Sequence, residues 1–268
     1  IKKAKLIGLD TEFMRRDTYH AALSLVQIAV RDRIYVIDAL SFNVGVLWDA
    51  IISSNVIVLV HSARQDLGIF FLLFKTTPSN LFDTQVAANF CGFRTDISYS
   101  DLCQSICGIS IDKALQATDW MQRPLTDKMI NYAASDVMYL EQIYKHLMDI
   151  ALQNGNLDKI LDQISTTLTD PAIYKNFPEK AWTKIKLRNR TQEMIRRIKV
   201  FAHYREEVAM MLNIPRGFFI QDRSLVAIAE KLPVNSEQLK LIVPEEKTLR
   251  EQKYSSKILE LCAALREQ

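Results

Sequence analysis

The chain of 268 residues is 49% apolar and 24% charged, the balance of a globular protein with room for one large or two modest domains, which excludes collagen-like, fibrous and disordered classes. Its longest apolar runs, 56–60 and 69–74, fall far short of the ~20 residues of a bilayer-crossing helix, and Ile1-Lys2-Lys3-Ala4-Lys5 leads into a strand pattern without an export signal, so a cytoplasmic location and no membrane partner are expected. The net charge of +3 hides an asymmetry: up to residue 170 there are 15 Lys/Arg against 19 Asp/Glu, and beyond it 19 against 12.

Residues 4–10, 22–30 and 33–38 alternate as strands do and predict a three-stranded meander. The first runs into Leu9-Asp10-Thr11-Glu12-Phe13, where period-two alternation sends both carboxylates to one face. Two like charges on a mostly buried strand cost several kcal/mol unless a cation neutralises them; the alternative is a strand that has ended by Asp10, with both acids solvated. Residues 44–53 have helical spacing, and 56–61 read as a short buried strand. That strand enters His61-Ser62-Ala63-Arg64-Gln65-Asp66, with helices expected over 65–74, 81–90 and 100–107. Asp66 stands near a helix N-terminus, where it serves either a site or simply the helix dipole. A long helix is predicted from about Thr126, an N-cap, to Leu152, with Asn154-Gly155 as its stop. In Asn131-Tyr132-Ala133-Ala134-Ser135-Asp136, Tyr132 and Asp136 are four apart and share a face. The small residues between them let the helix approach the sheet closely; otherwise Tyr132 is core and Asp136 a surface charge.

After Asn156 strand signals nearly vanish, and helices are predicted over 184–211, 224–231, 236–242 and 255–266. Lys175 to Lys199 holds nine basic residues against two acidic ones. This stretch either meets a polyanion or is an ordinary solvated helical face, and charge alone does not choose. The seven glycines exclude phosphate-cradling Gly-rich loops and a nucleophile elbow. The four cysteines and four histidines have no zinc spacing, and Cys103 with Cys107 reads as a buried apolar pair. Any metal must therefore be held by carboxylates. Four acids on three elements with one tyrosine suit two-metal phosphodiester hydrolysis, in which oxygen ligands select Mg²⁺ or Mn²⁺ and a tyrosine hydroxyl orients water.

Leu9-Asp10-Thr11-Glu12-Phe13, the Asp66 segment and Tyr132-Ala133-Ala134-Ser135-Asp136 resemble the three motifs of DEDDy 3′ to 5′ exonucleases. Asp83-Thr84-Gln85, Asp112-Lys113, Thr118-Asp119-Trp120 and Arg123-Pro124-Leu125-Thr126 extend the resemblance to the bacterial ribonuclease D family, over residues 5 to about 165. It implies an α/β, RNase H-like mixed-sheet exonuclease domain that hydrolyses RNA from its 3′ end, with two divalent cations, Mg²⁺ or Mn²⁺, and release of 5′-mononucleotides. The expected substrates are tRNA precursors and small structured RNAs. By the resemblance Asp10, Glu12, Asp66 and Asp136 hold metal and Tyr132 places the water. Phe13 lies against the terminal base, Thr11 approaches the terminal sugar and Ser62 faces the substrate. The remainder resembles an HRDC module, through Tyr204-Arg205-Glu206-Glu207-Val208-Ala209, Asn213-Ile214-Pro215-Arg216, Asp222-Arg223-Ser224-Leu225 and Ile228-Ala229-Glu230-Lys231-Leu232-Pro233. Such a small all-α bundle adds nucleic-acid or protein contacts. The expected division is an exonuclease domain over 1–175, a basic helical linker over 176–189 and the HRDC domain over 190–268. The alternatives are a DNA 3′ to 5′ exonuclease and a non-catalytic RNA-binding scaffold.

Overall fold

The computed structural model describes every residue except Lys2, Lys113, Ala117, residues 188–190 and Gln268. Arg188, Arg190 and Lys113, singled out in the sequence, therefore lie outside the described residues. The chain forms two compact units, one of residues 1–14 and 21–175, the other of 15–20 and 176–268.

The first unit holds five strands, β1 (Leu6–Met14), β2 (Ala22–Val30), β3 (Arg33–Asp38), β4 (Ile57–Val60) and β5 (Leu81–Asp83), in the order β3-β2-β1-β4-β5. The first three pair antiparallel as the expected meander, while β1 with β4 and β4 with β5 pair parallel, so the sheet is mixed. Around it lie α1 (Val44–Ile52), α2 (Arg64–Phe74), α3 (Thr84–Phe90), α4 (Tyr99–Cys107), α5 (Asp127–Met138), α6 (Leu140–Gln153) and α7 (Leu157–Ile164). The core gathers β-branched and aliphatic residues of the strands with one stripe of each helix, among them Leu9, Val58, Leu59, Leu67, Phe70, Val137 and Ile143. At Gly8 the end of α5 and the start of α6 lie close against β1. A Cβ there would stand 3.2 Å from Leu140 Cδ1 and 3.3 Å from the Val137 carbonyl oxygen, so any larger residue would push the helices out by a few tenths of an ångström.

Three expectations for this unit need correction. Residues 81–90 are not one helix: the chain first adds β5 to the sheet, then Asp83 caps α3 by accepting from the Gln85 and Val86 N–H groups. The apolar Leu81-Phe82 pair is equally at home in a buried strand, and two residues carry no periodicity that separates the cases. The helix predicted over 126–152 is two helices broken at Tyr139, although Thr126 caps α5 as expected, accepting from Met129 N–H at 3.2 Å. Of the cysteine pair, Cys103 is buried and Cys107 only partly so.

The second unit is helical, with α8 (Gln192–Leu212), α9 (Arg216–Phe219), α10 (Asp222–Lys231), α11 (Ser236–Ile242) and α12 (Gln252–Arg266). The helix expected from residue 184 begins at Gln192, where Thr191 accepts from Met194 N–H and sets the start; residues Pro178–Lys184 form a 3₁₀ turn instead. The core joins Ala181, Ile198, Phe201, Phe219, Ile228, Ile258 and Cys262. Arg205 is fully buried and pairs with Asp222 at 2.7 Å. Glu206, also buried, accepts from the Tyr19 hydroxyl at 2.5 Å and lies 3.5 Å from Lys184 Nζ. Tyr19 belongs to the six-residue segment of this unit that follows β1 in sequence, a placement with no local signature. Among the described residues no helix is long and apolar enough to cross a membrane.

Candidate active site

β1 continues through Met14, so the strand does not end at Asp10, and Asp10 and Glu12 lie on one face of the sheet with Gly8. That face looks toward α5, whose Ala133 is fully buried; small residues there bring Tyr132 and Asp136 down to the strand, as their pattern predicted. Thr11 points the other way and is 5% exposed, and its hydroxyl donates to Asp66 Oδ1. Asp66 is the third residue of α2 and is buried. The turn that launches α2 is held by Asp83, whose carboxylate accepts from Ser62 N–H at 3.2 Å and Ala63 N–H at 3.0 Å as well as capping α3. Ser62, exposed and at φ +58°, makes the reversal from β4 into α2. Its neighbour His61 lies 3.1 Å from the Ile97 carbonyl through Nε2, which must carry the hydrogen because a carbonyl only accepts.

Burial raises all four acids, and at Asp10 and Glu12 the neighbouring carboxylates add to it. Burial, then Asp66, Asp136 and Glu12, hold the Asp10 carboxyl well above the usual carboxylate range. Burial, then Asp136 and Asp66, push Glu12 up to about 8, and burial takes Asp136 to about 7. Burial also raises Asp66, to about 6, against the pull of the Thr11 hydrogen bond. The Tyr132 phenol is driven upward by burial, then by Asp136, Glu12 and Asp10, and so keeps its proton. Its ring lies 5.8 Å from that of Trp120. The structure thus brings Asp10, Glu12, Asp66, Asp136 and Tyr132 into one electrostatic cluster. Thr11 is turned onto Asp66, Phe13 stands partly buried past the register shift at Glu12/Phe13, and Ser62 lies on the rim turn.

One residue beside the cluster was missed in the sequence, as was the role of a second. Gln27 is the partner of Asp10 across the antiparallel β1–β2 register and therefore shares its face. It is fully buried, and neither carboxamide atom has a hydrogen-bond partner. A glutamine inside the apolar run Leu23–Val30, in phase with the acid-bearing face, was the available signal. Asp83 was visible as a motif, but its clamp on the α2 turn depends on β5, which the sequence hid inside a helix.

The donor set suits a hard divalent cation: four carboxylates that resist ionising together, with an unpaired buried amide beside Asp10. Among the described residues no three acidic, His or Cys side chains already converge on one ion-sized point.

The family model described as 3′-5′ exonuclease matches residues 1–151, and the one described as HRDC domain matches 195–262. The chain is 36% identical over 271 residues to a ribonuclease D of Gluconacetobacter diazotrophicus, covering 99% of this chain and 68% of that one. It is 37% identical over 235 residues to a ribonuclease D of Acidiphilium cryptum, covering 87% of this chain and 60% of that one. Among solved structures, Escherichia coli RNase D, an exoribonuclease involved in structured RNA processing, superposes with a TM-score of 0.88 at 27% identity, over the whole of this chain and 71% of that one. The chain spans about three fifths to two thirds of the length of these curated relatives.

Proposed function

The chain belongs to the ribonuclease D family of 3′ to 5′ exoribonucleases, and from that membership we propose that its first unit hydrolyses RNA from the 3′ end with divalent cations held by Asp10, Glu12, Asp66 and Asp136. The observation that carries this reading is geometric: Asp10 and Glu12 share one face of β1, which looks toward the helix carrying Tyr132 and Asp136, and the buried Asp66 at the start of α2 accepts from Thr11 on the same strand. At neutral pH such a set holds protons or a cation. When bound, two Mg²⁺ or Mn²⁺ ions supply an activated water and stabilise charge on the leaving oxygen. The water oxygen adds to the terminal phosphorus, the bond to the 3′ oxygen of the preceding nucleotide breaks, and that oxygen takes up a proton. The products are a 5′-mononucleotide and an RNA shorter by one residue.

The chain's own residues bind and orient. Burial and the surrounding carboxylates keep the proton on Tyr132, whose hydroxyl would orient the attacking water. Thr11 spends its hydroxyl on Asp66, which leaves its backbone to approach the terminal sugar. Phe13 offers its ring to the terminal base, and Ser62 faces the substrate from the exposed α2 turn. The HRDC unit adds nucleic-acid or protein contacts, and tRNA precursors and small structured RNAs in the cytoplasm are the substrates this reading favours.

The test is incubation of 3′-labelled RNA and sequence-matched DNA with Mg²⁺, Mn²⁺ or EDTA, using the wild type and Asp10→Asn. Stepwise release of mononucleotides from RNA, lost in EDTA and lost in the variant, is expected. Equal rates in EDTA sink the metal assignment, and preference for DNA transfers the function to a DNA exonuclease.

A further inference from the structure

The break between α5 and α6 has no cause in its own sequence. From Asn131 to Gln153 there is neither proline nor glycine, the usual residues at which a helix interrupts itself. Yet Tyr139 leaves the helical run, with φ −105° and ψ 3°. A side chain from elsewhere occupies the ladder at this point. The Tyr99 hydroxyl accepts from the Tyr139 N–H at 3.0 Å and donates to the Ser135 carbonyl at 3.1 Å. Those two groups are four residues apart, the pair an uninterrupted helix joins directly. The hydroxyl is spliced between them, and Ser135 tightens the same turn by donating to the Tyr132 carbonyl at 2.6 Å.

Asp136 lies inside the spliced window and Tyr132 one turn before it. A helix turns by about 100° and rises by about 1.5 Å per residue, so the splice fixes the angle at which both side chains meet β1. Tyr99 also packs beside the turn that leads from β4 into α2. Its ring lies 5.6 Å from that of His61, which contacts Thr84 at 3.0 Å through Nδ1 and Ile97 through Nε2. His61 directly precedes the Ser62-Ala63 turn clamped by Asp83, from which α2 carries Asp66. One phenol therefore ties the segment bearing Asp66 to the helix bearing Tyr132 and Asp136.

We propose that Tyr99 is a positioning residue of the active site, whose hydroxyl sets the break between α5 and α6 and thereby fixes Asp136 relative to Asp10 and Glu12. The inference rests on the metal-centre reading above. Removing such a supporting contact typically costs a metal site tenfold or more in affinity or rate.

The test is Tyr99→Phe in the full chain, which keeps the ring against His61 and deletes only the splice, with Asp136→Asn as reference. With circular dichroism showing a folded variant, calorimetric Mn²⁺ affinity is expected to weaken about tenfold and kcat to fall about tenfold, with KM changed less than about twofold. A ring that merely fills space leaves both quantities at wild-type values, and that result overturns the proposal. In wild-type protein the same coupling is read in reverse: because linkage is reciprocal, saturating Mg²⁺ is expected to slow amide exchange at Tyr139 about tenfold. An unchanged exchange rate overturns the proposal whether or not the variant folds. If Asp136→Asn binds Mn²⁺ as the wild type does, the metal-centre reading itself falls; if it loses Mn²⁺ while Tyr99→Phe keeps it, only the role of Tyr99 falls.

Discussion

Asp10, Glu12, Asp66 and Asp136 form a site whose protonation is linked to folding. Each carboxyl is raised above its ordinary value of about 4, Asp66 to about 6, Asp136 to about 7 and Glu12 to about 8. For an acid raised in the folded state, the stabilising contribution is fully present below the unfolded value and is lost as pH rises through the folded one. Metal-free protein should therefore lose melting temperature between about pH 4 and pH 8, and Mg²⁺ should flatten that decline by replacing the protons. Thermal scans across that range in EDTA and in Mg²⁺ check this, and a metal-free melting temperature that climbs toward pH 8 contradicts it. Tyr132 permits a separate test. Tyr132→Phe leaves the four carboxylates in place and deletes the hydroxyl, so kcat should fall by about 100-fold or more while Mn²⁺ affinity stays within about twofold. An unaltered kcat returns Tyr132 to a packing role against Trp120.

Single elements are held to the sheet by a few polar contacts. The segment before α5 is fastened by Arg123, which meets both carboxylate oxygens of Asp38 at 2.6 and 2.8 Å and also donates to the Trp120 carbonyl at 2.8 Å. Ser24 adds its hydroxyl to the same carbonyl. The guanidinium holds Asp38 far below the usual carboxylate range, so Asp38 stays ionised through that range and the clamp is lost only as pH falls through the lowered value. Both partners are about a quarter to a third exposed, which puts the fork closer to a half-screened pair than to a buried one. Arg123→Met is expected to cost about 1 kcal/mol, near a 3 °C loss in melting temperature. It should also change the near-ultraviolet dichroism of Trp120, because the loop carrying that ring is released. An unchanged spectrum and melting temperature make the fork an incidental surface pair. The break at Tyr139 belongs to this scale too: an element boundary fixed by a tyrosine 40 residues away in the chain.

At the scale of the whole molecule, the basic stretch before and along α8 is less uniform than its composition suggests. Lys184 lies against buried Glu206, while Arg196 and Arg197 share the single carboxylate of Glu193 and Lys199 stands 4.7 Å over the Trp182 ring. The exposed pairs of Arg196 and Arg197 with Glu193 are worth little, so these two cations can still exchange a carboxylate for a phosphate. Replacing Lys186, Arg196, Arg197 and Lys199 by glutamine should flatten the salt dependence of RNA affinity by about two units if three of them meet the backbone, at about 0.7 per contact. Matched slopes make the stretch a solvated face. This charge variant is a cleaner probe than cutting the chain at residue 175, because Tyr19 and His20 lose their partners Glu206 and Asn213 with such a cut.

The amino-acid sequence by itself determined what depends on near neighbours: the meander, the shared face of Asp10 and Glu12, the Thr126 cap, the one-turn spacing of Tyr132 and Asp136, and the shift from an α/β domain to a helical bundle. Strand alternation and helical pitch act over two to four residues, and a reading of the chain captures them. What remained belonged to contacts between distant residues. The allegiance of residues 15–20, the pairing of β5, the burial of Gln27 opposite Asp10, the turn of Thr11 onto Asp66 and the splitting of one long helix into α5 and α6 all follow from partners 17 to 187 residues away. Each was decided by packing, because a buried hydroxyl, amide or carboxylate must find its partner wherever the fold supplies one, and periodicity carries no record of where that is.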